Sequence, residues 1–166
     1  MSHLKTNSEL SEGIRTGLLG AVAVALVFLA HDLALGRPGW TPSVLGQVAM
    51  SGGGKVPIID QVLLFPLAVY TVIHLLLFSA FGIALVRMVT LAEQERIFRT
   101  ALVIMFVTFE VFFAGLLEIG VGTTRGLFPL WTVLTANAVA AVTMGTYSMR
   151  GHPATVKAFL ADAKGY

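Results

Sequence analysis

The stretch TALVIMFVTFEVFFAGLLEIG, residues 100–120, decides the fold class. Its run from Ala101 to Leu117 is apolar except for Thr108 and Glu110. A membrane-crossing helix needs about 20 predominantly apolar residues. Three further stretches have that length: Ile14–Leu35, Gln61–Val86 and Leu127–Met149. Backbone polar groups in lipid are satisfied only in helices and closed barrels. Continuous apolar runs predict helices, because barrel strands would alternate. The expected fold is therefore all-α: an integral membrane four-helix bundle, a single domain over 1–166, with spans at about 14–35, 61–86, 100–120 and 127–149.

Composition agrees. The chain has 166 residues, 56% hydrophobic and 12% charged, with mean hydropathy +0.84. Soluble domains carry about 25% charged residues. There is no cysteine, which excludes disulfides, thiolate metal sites and cysteine nucleophiles. The net charge is +2, and the basic residues form no patch of the kind that binds nucleic acid. The first apolar stretch follows a long segment carrying Glu9 and Glu12. That segment does not fit the n-region of a signal peptide, so a permanent span is expected.

Lys and Arg in the flanks predict the orientation. With both termini inside, the inner side holds Lys5, Arg15, Arg87, Arg96, Arg99, Arg150, Lys157 and Lys164; the outer side holds Arg37, Lys55 and Arg125. The bias favours cytoplasmic termini. Trp40 and Trp131 fall at the outer boundary, where aromatic rings accumulate.

Two short helices are expected outside the spans. In Thr41-Pro42-Ser43, Thr41 can cap a helix whose first turn holds Pro42. Val44, Leu45, Val48 and Ala49 then form an apolar face, ending before Gly52, and predict a helix on the outer membrane surface or a partner. The tail, 153–164, places Val156, Phe159, Leu160 and Ala163 on one stripe and predicts an amphipathic helix inside.

Small residues predict the packing. Gly13, Gly17, Ala21 and Ala25 repeat every four residues on the first helix, as do Asn137, Ala141 and Gly145 on the fourth. Such stripes let helices approach closely. No internal repeat supports an inverted-repeat transporter.

Polar residues sort by depth, at about 1.5 Å per residue. His74, Glu110 and Asn137 fall in one central layer on three helices, about 15–20 Å from the outer surface, with Tyr70 one turn from His74. His31, Asp32 and Glu118 form a second group near the outer end. The central layer has three readings. It is a buried polar lock, with a protonated Glu110 bonded to His74 or Asn137. It is a proton or ion relay between Glu110 and His74. Or it holds a metal or haem. Di-iron bundles use paired Glu-x-x-His motifs, which are missing here. His31 and His74 differ in depth by about 14 Å, too far for one haem iron. His3 and His152 fall in polar flanks and read as solvated. Gly52-Gly-Gly-Lys55 lacks the rest of a phosphate-binding loop, and no serine has a nucleophile-elbow setting. No catalytic residue, metal or cofactor is expected.

Gly36-Arg-Pro-Gly-Trp-Thr-Pro-Ser-Val-Leu-Gly46, Tyr70-Thr-Val-Ile-His74, Ala136-Asn-Ala138 and Arg150-Gly-His-Pro153 resemble a group of small bacterial inner-membrane proteins with four helices and no assigned activity. The resemblance covers most of the chain and implies a bacterial inner-membrane location. Together with the missing catalytic motifs, the expectation is a non-catalytic subunit of a larger membrane complex, respiratory or photosynthetic. Its partners would be the lipid bilayer and other membrane subunits, not nucleic acid. The alternatives are a small proton or ion conductor using Glu110 and His74, and a metal- or haem-binding membrane protein.

Overall fold

In a computed structural model the backbone is described over residues 2–52, 57–119 and 127–164, and the side chains over the same residues except 2–7, 110 and 112–119. Among the described residues there are six α-helices and no strand: α1 Ser2–Ala34, α2 Trp40–Ser51, α3 Leu64–Gln94, α4 Arg96–Ile119, α5 Leu130–Gly151 and α6 Pro153–Ala163. Two of them, α1 over Ser8–Ala34 and α3, are long and apolar enough to cross a membrane. The 22 residues of α5 include Thr132, Thr135, Asn137, Thr143 and Thr146, which dilute its hydropathy.

α1 and α3 outrun the apolar stretches that predicted them. α1 has 33 residues and α3 has 31. At 1.5 Å per residue each is about 45–50 Å long, against about 30 Å for a hydrocarbon core. The apolar run marks where a helix can meet lipid. The hydrogen-bonded backbone continues into the polar flanks, back to Ser2 on α1 and on to Gln94 on α3. α3 starts at Leu64 rather than Gln61, because Leu63 stays extended and gives its N–H to Ser43 Oγ at 2.9 Å. Pro66 then sits in the first turn, where its missing N–H costs no helical bond. Only Glu95, in extended conformation, separates α3 from α4. Pro153 cannot continue α5, and the preceding His152 leaves helical geometry before α6 begins.

Glycine sets the central packing. A Cβ on Gly13 would meet Ile83 Cα; one on Gly17 would meet the Phe78 carbonyl and Ser79; one on Gly82 would strike the backbones of Gly13 and Gly17. The rising numbers on α1 meet falling numbers on α3, so the two helices run antiparallel, backbone against backbone. α5 is antiparallel to α1 as well: Gly20 packs on Met144, and His31 meets Trp131 edge to face at 6.0 Å. Ala21, Val24, Phe78, Leu85, Val89, Leu102, Ala136, Ala140 and Met144 belong to one core cluster. α4 joins it through Phe109, whose ring lies tilted against Phe81 at 4.3 Å and edge-on to Phe78.

The small-residue stripe of α1 lies on this interface through Gly13, Gly17 and Ala21, while Ala25 is exposed. The stripe read on α5 is displaced. Ala141 and Gly145 are half-buried, and a Cβ on Gly145 would meet nothing within 4 Å. The buried face of α5 runs through Val133, Ala136, Asn137, Ala140, Met144 and Ser148.

α2 also corrects the sequence reading. Its apolar face covers α3 of its own chain, not a free surface: Trp40, Val44, Gly46 and Val48 are buried, and Gly46 lies against the Pro66 backbone. The following segment is strapped to it. Gln47 donates from Nε2 to the Ile58 carbonyl and accepts the Ile58 N–H. Trp40 donates its indole N–H to the Ile59 carbonyl, under Arg37 at 3.9 Å from the ring. Trp40 is thus 2% exposed, unlike Trp131 at 63%, and only Trp131 faces outward. α6 lies on α3 and α5: Thr155 is buried and donates to the Val89 carbonyl, and Phe159 packs on the core.

Candidate functional site

Tyr70, His74 and Phe78 recur every four residues and so share one face of α3. His74 reaches across to α1, its Nε2 3.2 Å from the Ala21 carbonyl oxygen. A carbonyl only accepts, so Nε2 carries a proton. In the neutral ring Nδ1 then accepts, and the Tyr70 hydroxyl lies 3.5 Å from it. The two rings stack at 5.4 Å, and His74 contacts Phe78 at 4.6 Å. Both imidazole nitrogens thus have partners inside the chain.

The rest of the expected central layer does not join them among the described residues. Asn137 is 6% exposed on α5, and its Nδ2 has no hydrogen-bond partner there. The side chains of Glu110 and Glu118 lie outside the described residues.

The outer group is a helix cap. Asp32, fully buried near the end of α1, accepts from Thr41 N at 2.7 Å and from Thr41 Oγ1 at 2.6 Å. Its backbone carbonyl also takes the Arg37 N–H, which ends α1 and leads into the turn toward Gly39. The first N–H groups of a helix have no partner within it. Asp32 satisfies one of them from another helix, and its charge is favourable at that end. Thr41 is therefore inside α2 as a donor, rather than its cap. Neighbouring His31 lies 3.6 Å from the carboxylate through Nδ1.

A cavity of about 270 Å³ between α1, α2 and α3 connects the two groups. Tyr70 and His74 border it, as do Asp32 and Thr41, with Val24 and Phe28 among its apolar walls.

The opposite end of the helix assembly carries polar contacts that sequence reasoning missed. His152 is not a solvated flank. Its Nδ1 lies 2.9 Å from Glu93 and its Nε2 3.3 Å from Glu12, joining α1, α3 and the α5–α6 junction. Arg99 pairs with Asp162 at 2.7 Å and donates to the Ala92 carbonyl. The pairs His152–Glu93, His152–Glu12 and Arg99–Asp162 are 59 to 140 residues apart in sequence, and no local pattern announces them. Among the described residues no three His, Asp or Glu side chains are placed to hold a metal ion. The two carboxylates meet opposite nitrogens of His152, so they cannot converge on one point with it. No protein-family model, no curated protein and no solved structure matches the chain.

Proposed function

We propose that this is a multi-pass protein of a bacterial inner membrane, crossing it with α1, α3, α4 and α5 and keeping both termini in the cytoplasm. In that setting it is a non-catalytic subunit of a larger membrane complex, and its buried polar contacts lock the helices rather than conduct. The observation that carries the membrane reading is the outward face of the four long helices. Leu18, Val22 and Leu26 on α1, Val72 and Leu76 on α3, Val103 and Val107 on α4, and Leu134 and Val142 on α5 are all exposed. Outward apolar patches on this scale mark a membrane or a partner.

The lock reading rests on His74. A relay residue must pass a proton onward through its hydrogen-bonded partners, and a backbone carbonyl cannot carry one further. Here one nitrogen faces a carbonyl and the other a tyrosine hydroxyl. Interhelical hydrogen bonds of this kind contribute about 0.6–1.7 kcal/mol in lipid.

Purification from native membranes in mild detergent tests the subunit reading. The expected result is a particle larger than the 17.7 kDa chain with defined co-purifying membrane proteins. A chain that runs alone as a monomer rejects it.

A further inference from the structure

At the end of the bundle where α1 begins and α5 ends, a notch of about 640 Å³ opens between the two helices. Ser8, Ser11 and Arg15 line it from α1, and Tyr147 and Arg150 from α5. The geometry points to a binding site for the phosphate of an anionic phospholipid, with its acyl chains running down the α1–α5 groove. This inference rests on the membrane reading above.

Three observations support it. First, Arg15 and Arg150 face one notch, and neither has an ion-pair partner among the described residues. Guanidinium groups are the side chains best matched to phosphate, which they hold bidentately. Two serine hydroxyls and a tyrosine hydroxyl add neutral donors. Second, the acid in the notch lies against the α5–α6 junction rather than against either arginine. Glu12 lies 3.3 Å from His152 Nε2 and packs against Gly151, where an added Cβ would be 3.0 Å from Oε1. Third, the site continues into apolar surface. Leu18 and Val22 follow Arg15 by one and two turns of α1, and on α5 Val142 and Val139 lie two to three turns before Arg150, past Thr146 and Thr143; all four are exposed. Free phosphate would use only the polar end. A phospholipid uses both. Basic pockets between spans on the cytoplasmic side are suited to anionic headgroups.

The test uses the full chain in detergent, with native mass spectrometry reading lipid retention. The probes are dioleoylphosphatidylglycerol, dioleoylphosphatidylcholine and inorganic phosphate. The expected result is preferential retention of the phosphatidylglycerol. The Arg15→Gln/Arg150→Gln double variant should lose it by about thirtyfold, equivalent to about 2 kcal/mol for the two arginines together. Arg87→Gln/Lys157→Gln removes the same charge away from the notch and should retain it. Equal retention of both lipids, equal loss in both double variants, or displacement by phosphate at concentrations matching the lipid overturns the proposal. Thermal melts of both variants report folding, and an unfolded notch variant is replaced by the single Arg150→Gln substitution under the same criteria. Flotation with phosphatidylcholine vesicles separates the two readings. A chain that floats without selecting phosphatidylglycerol loses only the lipid site; a chain that does not float loses the membrane reading.

Discussion

His74 and Ala21 face each other across the α1–α3 interface, the imidazole Nε2 3.2 Å from the backbone carbonyl. The contact sits one turn beyond the glycines that bring the two helices together, so it fixes register beside their closest approach. His74→Leu keeps an apolar side chain and removes both hydrogen-bonding nitrogens. It should cost about 0.5–2 kcal/mol, within the range of interhelical bonds in lipid. For a chain of this size that is about 1–8 °C in Tm. His74→Gln keeps a donor and should lose less. Proteoliposomes loaded with a pH dye complete the test. The lock reading expects no proton flux above protein-free vesicles, and a flux abolished by His74→Leu would establish a relay instead.

Gly17 and Gly82 make the opposite kind of prediction, since they matter for what they lack. The atoms that a Cβ would strike are backbone on the facing helix, which cannot rotate aside. Gly82→Ala should therefore push α1 and α3 apart and destabilise by about 2–3 kcal/mol, at the upper end of overpacking costs. Gly145→Ala is the control. Its Cβ meets nothing within 4 Å, and removing glycine from a helix interior should stabilise by about 0.5–1 kcal/mol. Detergent melts of the two alanine variants should move in opposite directions. Equal shifts would contradict the asymmetric packing.

Asp32 is tested through the helix it caps. Asp32→Ala leaves the Thr41 N–H and hydroxyl buried without their acceptor, at a cost of about 1–3 kcal/mol. Asp32→Asn keeps an acceptor for the N–H and an amide donor for the hydroxyl oxygen, so it should retain about half of that. Hydrogen exchange reads the effect locally. The amides opening α2, Trp40 to Val44, should exchange faster in Asp32→Ala, while those of α5 should not. Uniform acceleration would assign Asp32 a global role instead.

Helix existence was legible because long apolar runs such as residues 61–86 leave few alternatives. Helix ends were not, because hydropathy marks the lipid-compatible part and α1 and α3 continue past it. Facing was harder still. On α5 apolar residues occur all round, so the stripe through Ala141 and Gly145 read as well as the one through Ala140 and Met144 that packs. Gly82 went unnoticed as a lone glycine outside any stripe, although an isolated glycine in a helical run is itself a signal of close packing. The pairing of Asp32 with Thr41 crosses the Gly36–Gly39 turn. Its signal was an acid just before a glycine-proline turn and a Thr-Pro-Ser helix start. His152 with Glu12 and Glu93 had no such signal, because three distant segments must fold before they meet.

Topology is open to direct measurement, since the chain contains no cysteine and each introduced thiol is a unique reporter. Ser8, Gln61 and Ala161 are exposed. Ser8 lies near the end of α1 that meets the α5–α6 junction through Glu12 and His152. Gln61 lies beside the opposite end, between the Ile58–Ile59 strap and α3. The arginine and lysine bias predicts that the first end lies in the cytoplasm. Ser8→Cys and Ala161→Cys in intact cells should therefore resist a membrane-impermeant maleimide until the cells are opened, while Gln61→Cys should react at once. Labelling of Ser8→Cys and Gln61→Cys from the same side would mean that α1 does not cross. Protection of Gln61→Cys with labelling of the other two would keep the crossings and reverse the orientation. Different sides for Ser8→Cys and Ala161→Cys would require an odd number of crossings, which the four-span reading forbids.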